Sequence, residues 1–154
     1  MEKLDCQSIM RHTTTSLYED AQLSSAIEFM TENRMGLIPI VNREETFVGQ
    51  LSGDQLMRSM MPKTLGVIRP KRQAEDGRQA WEDIRQRLDK MGDLPIRKVM
   101  DRHAKVVRPD TPLIEALSIL SQNQNVVPVV EQRNGRLVGA ISFFTVLDAL
   151  REAE

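Results

Sequence analysis

The sequence is poor in the residues that mark most enzyme and nucleic-acid chemistries. Cys6 is the one cysteine in 154 residues, so no internal disulfide and no cysteine-based zinc site can be built from this chain. One Trp, one Tyr and four Phe leave little to stack on bases. The net charge of −1, from 21 Lys plus Arg against 22 Asp plus Glu, creates no overall field toward nucleic acid or an anionic membrane. Apolar runs last only a few residues, whereas about 20 are needed to cross a bilayer, and Met1 to Ser8 lacks the apolar stretch of a signal peptide. The expectation is a soluble, cytoplasmic protein.

Other chemistry is missing as well. No Gly-rich phosphate loop, catalytic carboxylate pair or nucleophile elbow occurs. His12 and His103 have no spacing that suits a metal, and Cys6 has no His-containing catalytic signature around it. The small basic cluster Arg69-Pro70-Lys71-Arg72 is followed at once by Glu75 and Asp76, so a nucleic-acid site is not expected. The nine methionines fall mostly in apolar stripes, where they fill a core or an adaptable interface.

What is present is an internal repeat. A shift of 90 residues aligns Met10 with Met100, Asp20 with Asp110, Leu23 with Leu113 and Ala26 with Ala116. Pro39 matches Pro128 at 89, and Val48-Gly49 with Ser52 return to 90 against Val138-Gly139 with Ser142. Compensating single-residue slips belong in loops, so the flanking matches mark equivalent elements. The copies span 1–61 and 95–154, joined by a linker over 62–94.

Each copy has the same pattern. Leu23, Ala26, Ile27 and Met30 form one helix face, repeated by Leu113, Ala116, Leu117 and Leu120. Thr111 is placed to cap the second of these helices, with Pro112 in its first turn. The short runs Leu37–Val41 and Val126–Val130 read as strands. Their central prolines require an open or irregular edge, opposite a pocket. Polar turns follow, including Asn134-Gly135, then the strands Phe47–Leu51 and Leu137–Ile141 and a closing helix. The order is strand, helix, strand, strand, helix, twice. About 60 residues are marginal for an independent core, so the copies should pack together.

In the linker, Pro62 to Arg72 reads as extended or turning. Asp76 and Gln79 resemble a capping box, and Trp81, Ile84, Leu88 and Met91 form an apolar stripe ending at Gly92 and Pro95. An inserted amphipathic helix follows, packed on this body or a dimer partner, or else presented to an external partner.

The segments VGQLSGDQLM (Val48 to Met57) and VGAISFFTVL (Val138 to Leu147), each beyond an apolar-Pro-apolar strand, resemble the cystathionine β-synthase (CBS) domain. Ile9-Met10, Val99-Met100 and the Asp-x-x-Leu helix starts at Asp20 and Asp110 extend the resemblance over both halves. Such a tandem pair, a Bateman module, implies an α/β (α+β) fold of two βαββα motifs related by pseudo-twofold symmetry. It also implies a homodimer and clefts that take adenosine compounds such as AMP, ADP, ATP or S-adenosylmethionine, with no cofactor required.

The resemblance places Ser16, Leu17, Val106 and Val107 at the mouths of the clefts. It places Ile38, Pro39, Val127 and Pro128 along their walls, and Gly49, Ser52, Gly139 and Ser142 in their turns. Gln55 and Thr145 stand where the family carries a ribose-binding Asp, and neither supplies a carboxylate. Asp54 lies one residue early, a turn of about 100° on a helix. Nor does His or Arg directly precede either proline strand; Arg34 is the nearest cation, before Met35-Gly36, while Asn125 precedes the second strand. Ser16 has a second reading, as a hydroxyl that satisfies a strand end. The expected function is a non-catalytic regulatory module that binds an adenosine-containing ligand and signals to a protein partner. The alternative is a ligandless interaction scaffold.

Overall fold

The computed structural model describes residues 4–12, 15–61 and 73–152, with backbone only over 73–76. The extended reading of Pro62 to Arg72, the basic cluster within it and the side chain of Asp76 lie outside the described residues.

The first repeat runs α1 (Cys6–Ile9), β1 (Leu17–Tyr18), α2 (Leu23–Asn33), β2 (Leu37–Val41), β3 (Phe47–Ser52) and α3 (Gly53–Met60). α4 (Gln73–Met91) and a 3₁₀ turn (Ile96–Lys98) intervene. The second repeat continues with α5 (Leu113–Leu120), β4 (Val126–Val130), β5 (Leu137–Ser142) and α6 (Phe143–Glu152).

In the first sheet β1 pairs parallel to β2, which pairs antiparallel to β3, with Ile38 opposite Leu51 and Pro39 opposite Gln50. In the second, Val127 faces Ile141 and Pro128 faces Ala140. Both β2 and β4 shift register after the first residue beyond their proline. The prolines are tolerated because β1 pairs only with Ile40 and Val41, which leaves β2 open beside Pro39.

Among the described residues the second repeat has no strand equivalent to β1, only a parallel bridge between Val107 and Val129. A single atom accounts for this difference. Glu19 donates its N–H to Val41 O at 2.9 Å, and its equivalent 90 residues on is Pro109, which has no N–H.

The helices follow their apolar stripes. α2 buries Leu23, Ala26 and Met30, and α5 buries Leu113 and Ala116. Thr111 does not cap α5. Its hydroxyl accepts from Arg108 N at 2.9 Å, and the Leu113 N–H that opens the helix goes to Leu4 O. α4 begins at Gln73, three residues before Asp76, so the expected capping box falls inside the helix. Packed on α2 and α3, it half-buries Ala80, Ile84, Leu88 and Met91. Trp81 departs from the expected stripe and is 72% exposed, while Ala80 takes the half-buried place before Ile84.

The repeats are interlocked by an exchange of their leading segments. Cys6 and Met10 join the core of Val107, Leu113, Val127, Val129 and Ile141 in the second repeat. Ile96, Val99 and Met100 join the core of Leu23, Ile38, Ile40 and Leu51 in the first. Backbone bonds fix the exchange: Arg11 and Ala140 bond reciprocally at 3.0 and 3.1 Å, and Gln50 and Asp101 at 3.0 and 2.8 Å. The hairpin turns meet on the pseudo-twofold, where Thr46 bridges Arg136 and Thr46 Oγ1 donates to Asn134 O.

Candidate functional site

Two clefts of similar size open between the repeats and share Leu37 as a wall. A wider, more open groove of about 730 Å³ lies elsewhere, among Arg108, Asp110, Glu131 and Arg133; it lacks the apolar walls of a small-molecule site.

The first cleft encloses about 360 Å³. Met35, Leu37 and Pro39 of the first repeat face Val126, Ala140 and Phe144 of the second, giving two apolar sides suited to a planar ring. Its polar groups are Arg11, Thr15, Ser142 and Thr145. Ser142 Oγ accepts from Thr145 N at 3.3 Å and lies 3.2 Å from Thr145 Oγ1. The start of α6 thus presents two hydroxyls together, with the positive end of the helix behind them.

The second cleft encloses about 370 Å³ and is polar. Gln50, Ser52, Asp54 and Arg58 come from β3 and α3, and Asp101, His103 and Ala104 from the segment after the 3₁₀ turn. The loop of residues 122–125 closes it. Gln124 orders that loop by accepting from Lys105 N and donating to Lys105 O and Val126 O. Ser52 caps α3, its Oγ accepting from Gln55 N at 3.1 Å, which leaves its proton free to donate.

The structure gathers Pro39, Ser142 and Thr145 at the first cleft and Ser52 at the second. Ile38, Val107, Val127 and Pro128 lie in the cores instead. Ser16 and Leu17 are half-buried, and it is Thr15 beside them that lines the first cleft. Val106 is 39% exposed and lines neither cleft. Gln55 turns away from both, donating from Nε2 to Val99 O at 2.6 Å, and so ties α3 to the exchanged segment.

Gly49 and Gly139 serve the exchange directly. A Cβ on Gly49 would sit 2.7 Å from Asp101 O, and one on Gly139 would sit 2.7 Å from Arg11 O.

Sequence reasoning missed Arg11, the cation of the first cleft, and Gln50 and Asp101 of the second. It set aside Asp54, which does line the second cleft. Arg34 instead ends α2 in the left-handed conformation, with φ 53°, and lines neither cleft. The missing signal was pairwise. Arg11 and Asp101 occupy equivalent places one residue after the matched Met10 and Met100, so the repeat itself points to them.

Comparison with protein families matches the CBS domain twice, at residues 6–62 and 96–152. An uncharacterized protein of Methanocaldococcus jannaschii is 25% identical over 146 residues, covering 87% of this chain and 84% of its own. The A-adding tRNA nucleotidyltransferase of Aquifex aeolicus is 26% identical over 97% of this chain, which spans 15% of that enzyme's length. Among solved structures, the CBS-pair protein CBSX2 from Arabidopsis thaliana superposes with a TM-score of 0.75 at 19% identity, covering 99% of this chain and 97% of that one. A structure of CBSX2 in complex with AMP superposes at 0.70, also with 19% identity, over 97% and 98%. With both repeats matched and the paired fold shared, this chain belongs to the CBS-domain family, one domain in each repeat.

Proposed function

We propose that the protein is a non-catalytic regulatory module of the cytoplasm that binds an adenosine-containing ligand in the first cleft and transmits its presence to a protein partner. The observation that carries this reading is the first cleft itself, with apolar residues of both repeats in its walls and Arg11, Ser142 and Thr145 as the polar groups that would meet a phosphate. The AMP complex of a structural neighbour supports the same ligand class. Adenine fits between Pro39, Leu37 and Val126, and the phosphate meets Arg11 and the start of α6. Among the described residues no carboxylate lines this cleft to hold a ribose diol, so affinity rests on the ring and the phosphate. Because the ligand touches both repeats, it favours one relative arrangement of them, which is how the signal leaves the site.

The module is a homodimer in this reading. Met57 of α3 and Leu147 of α6, equivalent at 90 residues, are 52% and 38% exposed, and Phe143 and Leu150 add to the same closing helix. An exposed apolar surface repeated by pseudo-symmetry suits an isologous contact with a second copy.

The test is thermal unfolding of ligand-free protein with AMP, ADP, ATP, S-adenosylmethionine and adenosine. A ligand at about 100 times its Kd adds about 2.7 kcal/mol of stability. AMP should stabilise the protein more than adenosine does, and Arg11→Ala should remove that difference, a loss of about 1.5–3 kcal/mol for a charge-assisted contact. If no adenosine compound stabilises the protein, the ligand reading fails and the interaction scaffold takes its place.

A further inference from the structure

We infer that the second cleft recognises a small cationic hydrogen-bond donor, an amine or guanidinium compound, giving the protein a second input unlike the first. The inference stands apart from the nucleotide reading of the first cleft. It begins at Gln50, which is 6% exposed and lines the second cleft. Its backbone N–H and C=O are both bonded to Asp101, yet its side-chain Oε1 has no hydrogen-bond partner among the described residues. A carboxamide oxygen can only accept, and buried acceptors without a partner are rare in native proteins. A donor carried by a ligand completes it.

The groups around Gln50 ask for the same partner. The carboxylates of Asp54 and Asp101 line the same cleft and accept only; one oxygen of Asp101 already takes the His103 N–H at 2.8 Å. His103 and Arg58 complete the charged lining. Arg58 is exposed on α3, one turn beyond Asp54, where its repulsion directs a ligand's cationic end inward to Gln50 and Asp101.

The repeat supplies an internal control. Shifted by 90 residues, Gln50 becomes Ala140, Asp54 becomes Phe144 and Asp101 becomes Arg11, and all three line the first cleft. One scaffold thus carries an apolar, cation-bearing cleft and an acceptor-rich one bearing two carboxylates. Two carboxylates repel a phosphate, whereas an amine or guanidinium group satisfies them together with Gln50.

The experiment is isothermal titration of the ligand-free full chain at low ionic strength with agmatine and with putrescine. The expected result is saturable binding of at least one probe, weakened about tenfold by Gln50→Leu and by the exposed Asp54→Asn, and unchanged by Arg11→Ala. Folding of each variant is checked by its thermal transition without probe. Absence of saturable binding by both probes at millimolar concentration overturns the proposal. Binding that neither Gln50→Leu nor Asp54→Asn weakens overturns it too, since that is general attraction to the surface. AMP stabilisation and its loss in Arg11→Ala report the first cleft separately, so failure at one cleft is distinguishable from failure at the other.

Discussion

Cys6 shows how little a residue's type says before its surroundings are known. From the sequence it is a lone thiol near a terminus; in the fold it is fully buried among Met10, Leu113 and Ile141 of the second core. Burial, with Asp5 and Glu115 nearby, pushes its pKa from 9.0 up to about 11. The unfolded chain therefore loses this proton first as pH rises. The contribution of the neutral thiol is fully present below pH 9.0 and is lost as pH climbs to about 11. Stability measured by urea unfolding should decline across that window, and Cys6→Ala should flatten the decline. Tyr18, whose phenol is raised by its bond to Glu45, is common to both proteins and cancels in the comparison. The folded thiol should also resist alkylation at pH 8 until the second core opens. A Cys6 that reacts as fast in the folded protein as in urea would contradict this burial. Gly49 and Gly139 carry the same lesson. The resemblance reads them as part of a ligand turn, while the structure uses their missing side chains to let Asp101 O and Arg11 O approach.

At the scale of elements, Ser52 joins two roles. Its oxygen caps α3 through Gln55 N, and the same hydroxyl borders the second cleft. Ser52→Ala should therefore cost about 1 kcal/mol of stability without any ligand, read as a shift in the urea midpoint, since that is the usual effect of a lost N-cap. It should leave AMP binding at the first cleft unchanged. Weaker AMP binding in Ser52→Ala would move the nucleotide to the second cleft. Most elements were legible because their signals are local: the stripe of α2, the β-branched runs around Pro39 and Pro128, and the Asn134-Gly135 turn. The departures arise where a distant segment supplies the missing bond. α5 has no side-chain cap because Leu4 O accepts from Leu113 N, and the second repeat has no first strand because Pro109 cannot donate. Trp81 fits a helical stripe by spacing alone, but the inward face of α4 is set by contacts with α2 and α3.

For the whole molecule, the repeat predicted two packed copies but not their exchange of leading segments, because no periodicity links Arg11 to Ala140 or Asp101 to Gln50. That exchange builds the clefts: each takes one wall from a segment reached across the repeat boundary, Arg11 and Thr15 in one, Asp101 and His103 in the other. α4 leads directly through the 3₁₀ turn into Asp101, and Gln55 Nε2 holds Val99 on the way, so the inserted helix is covalently and structurally joined to the second cleft. The closing helices α3 and α6 turn apolar side chains outward, which is the basis for a second copy as partner. A charge placed at an isologous seam appears twice in the dimer, once in each copy, and is desolvated both times. Leu147→Glu should therefore convert the assembly to a species near 17.6 kDa in sedimentation velocity while leaving the monomer folded, since Leu147 is already 38% exposed. Glu at Trp81, 72% exposed on α4, should leave the dimer intact and serves as the control. A wild-type mass near 17.6 kDa over a wide concentration range would refute the dimer. A dimer that persists in Leu147→Glu would place the seam on another face of the pair.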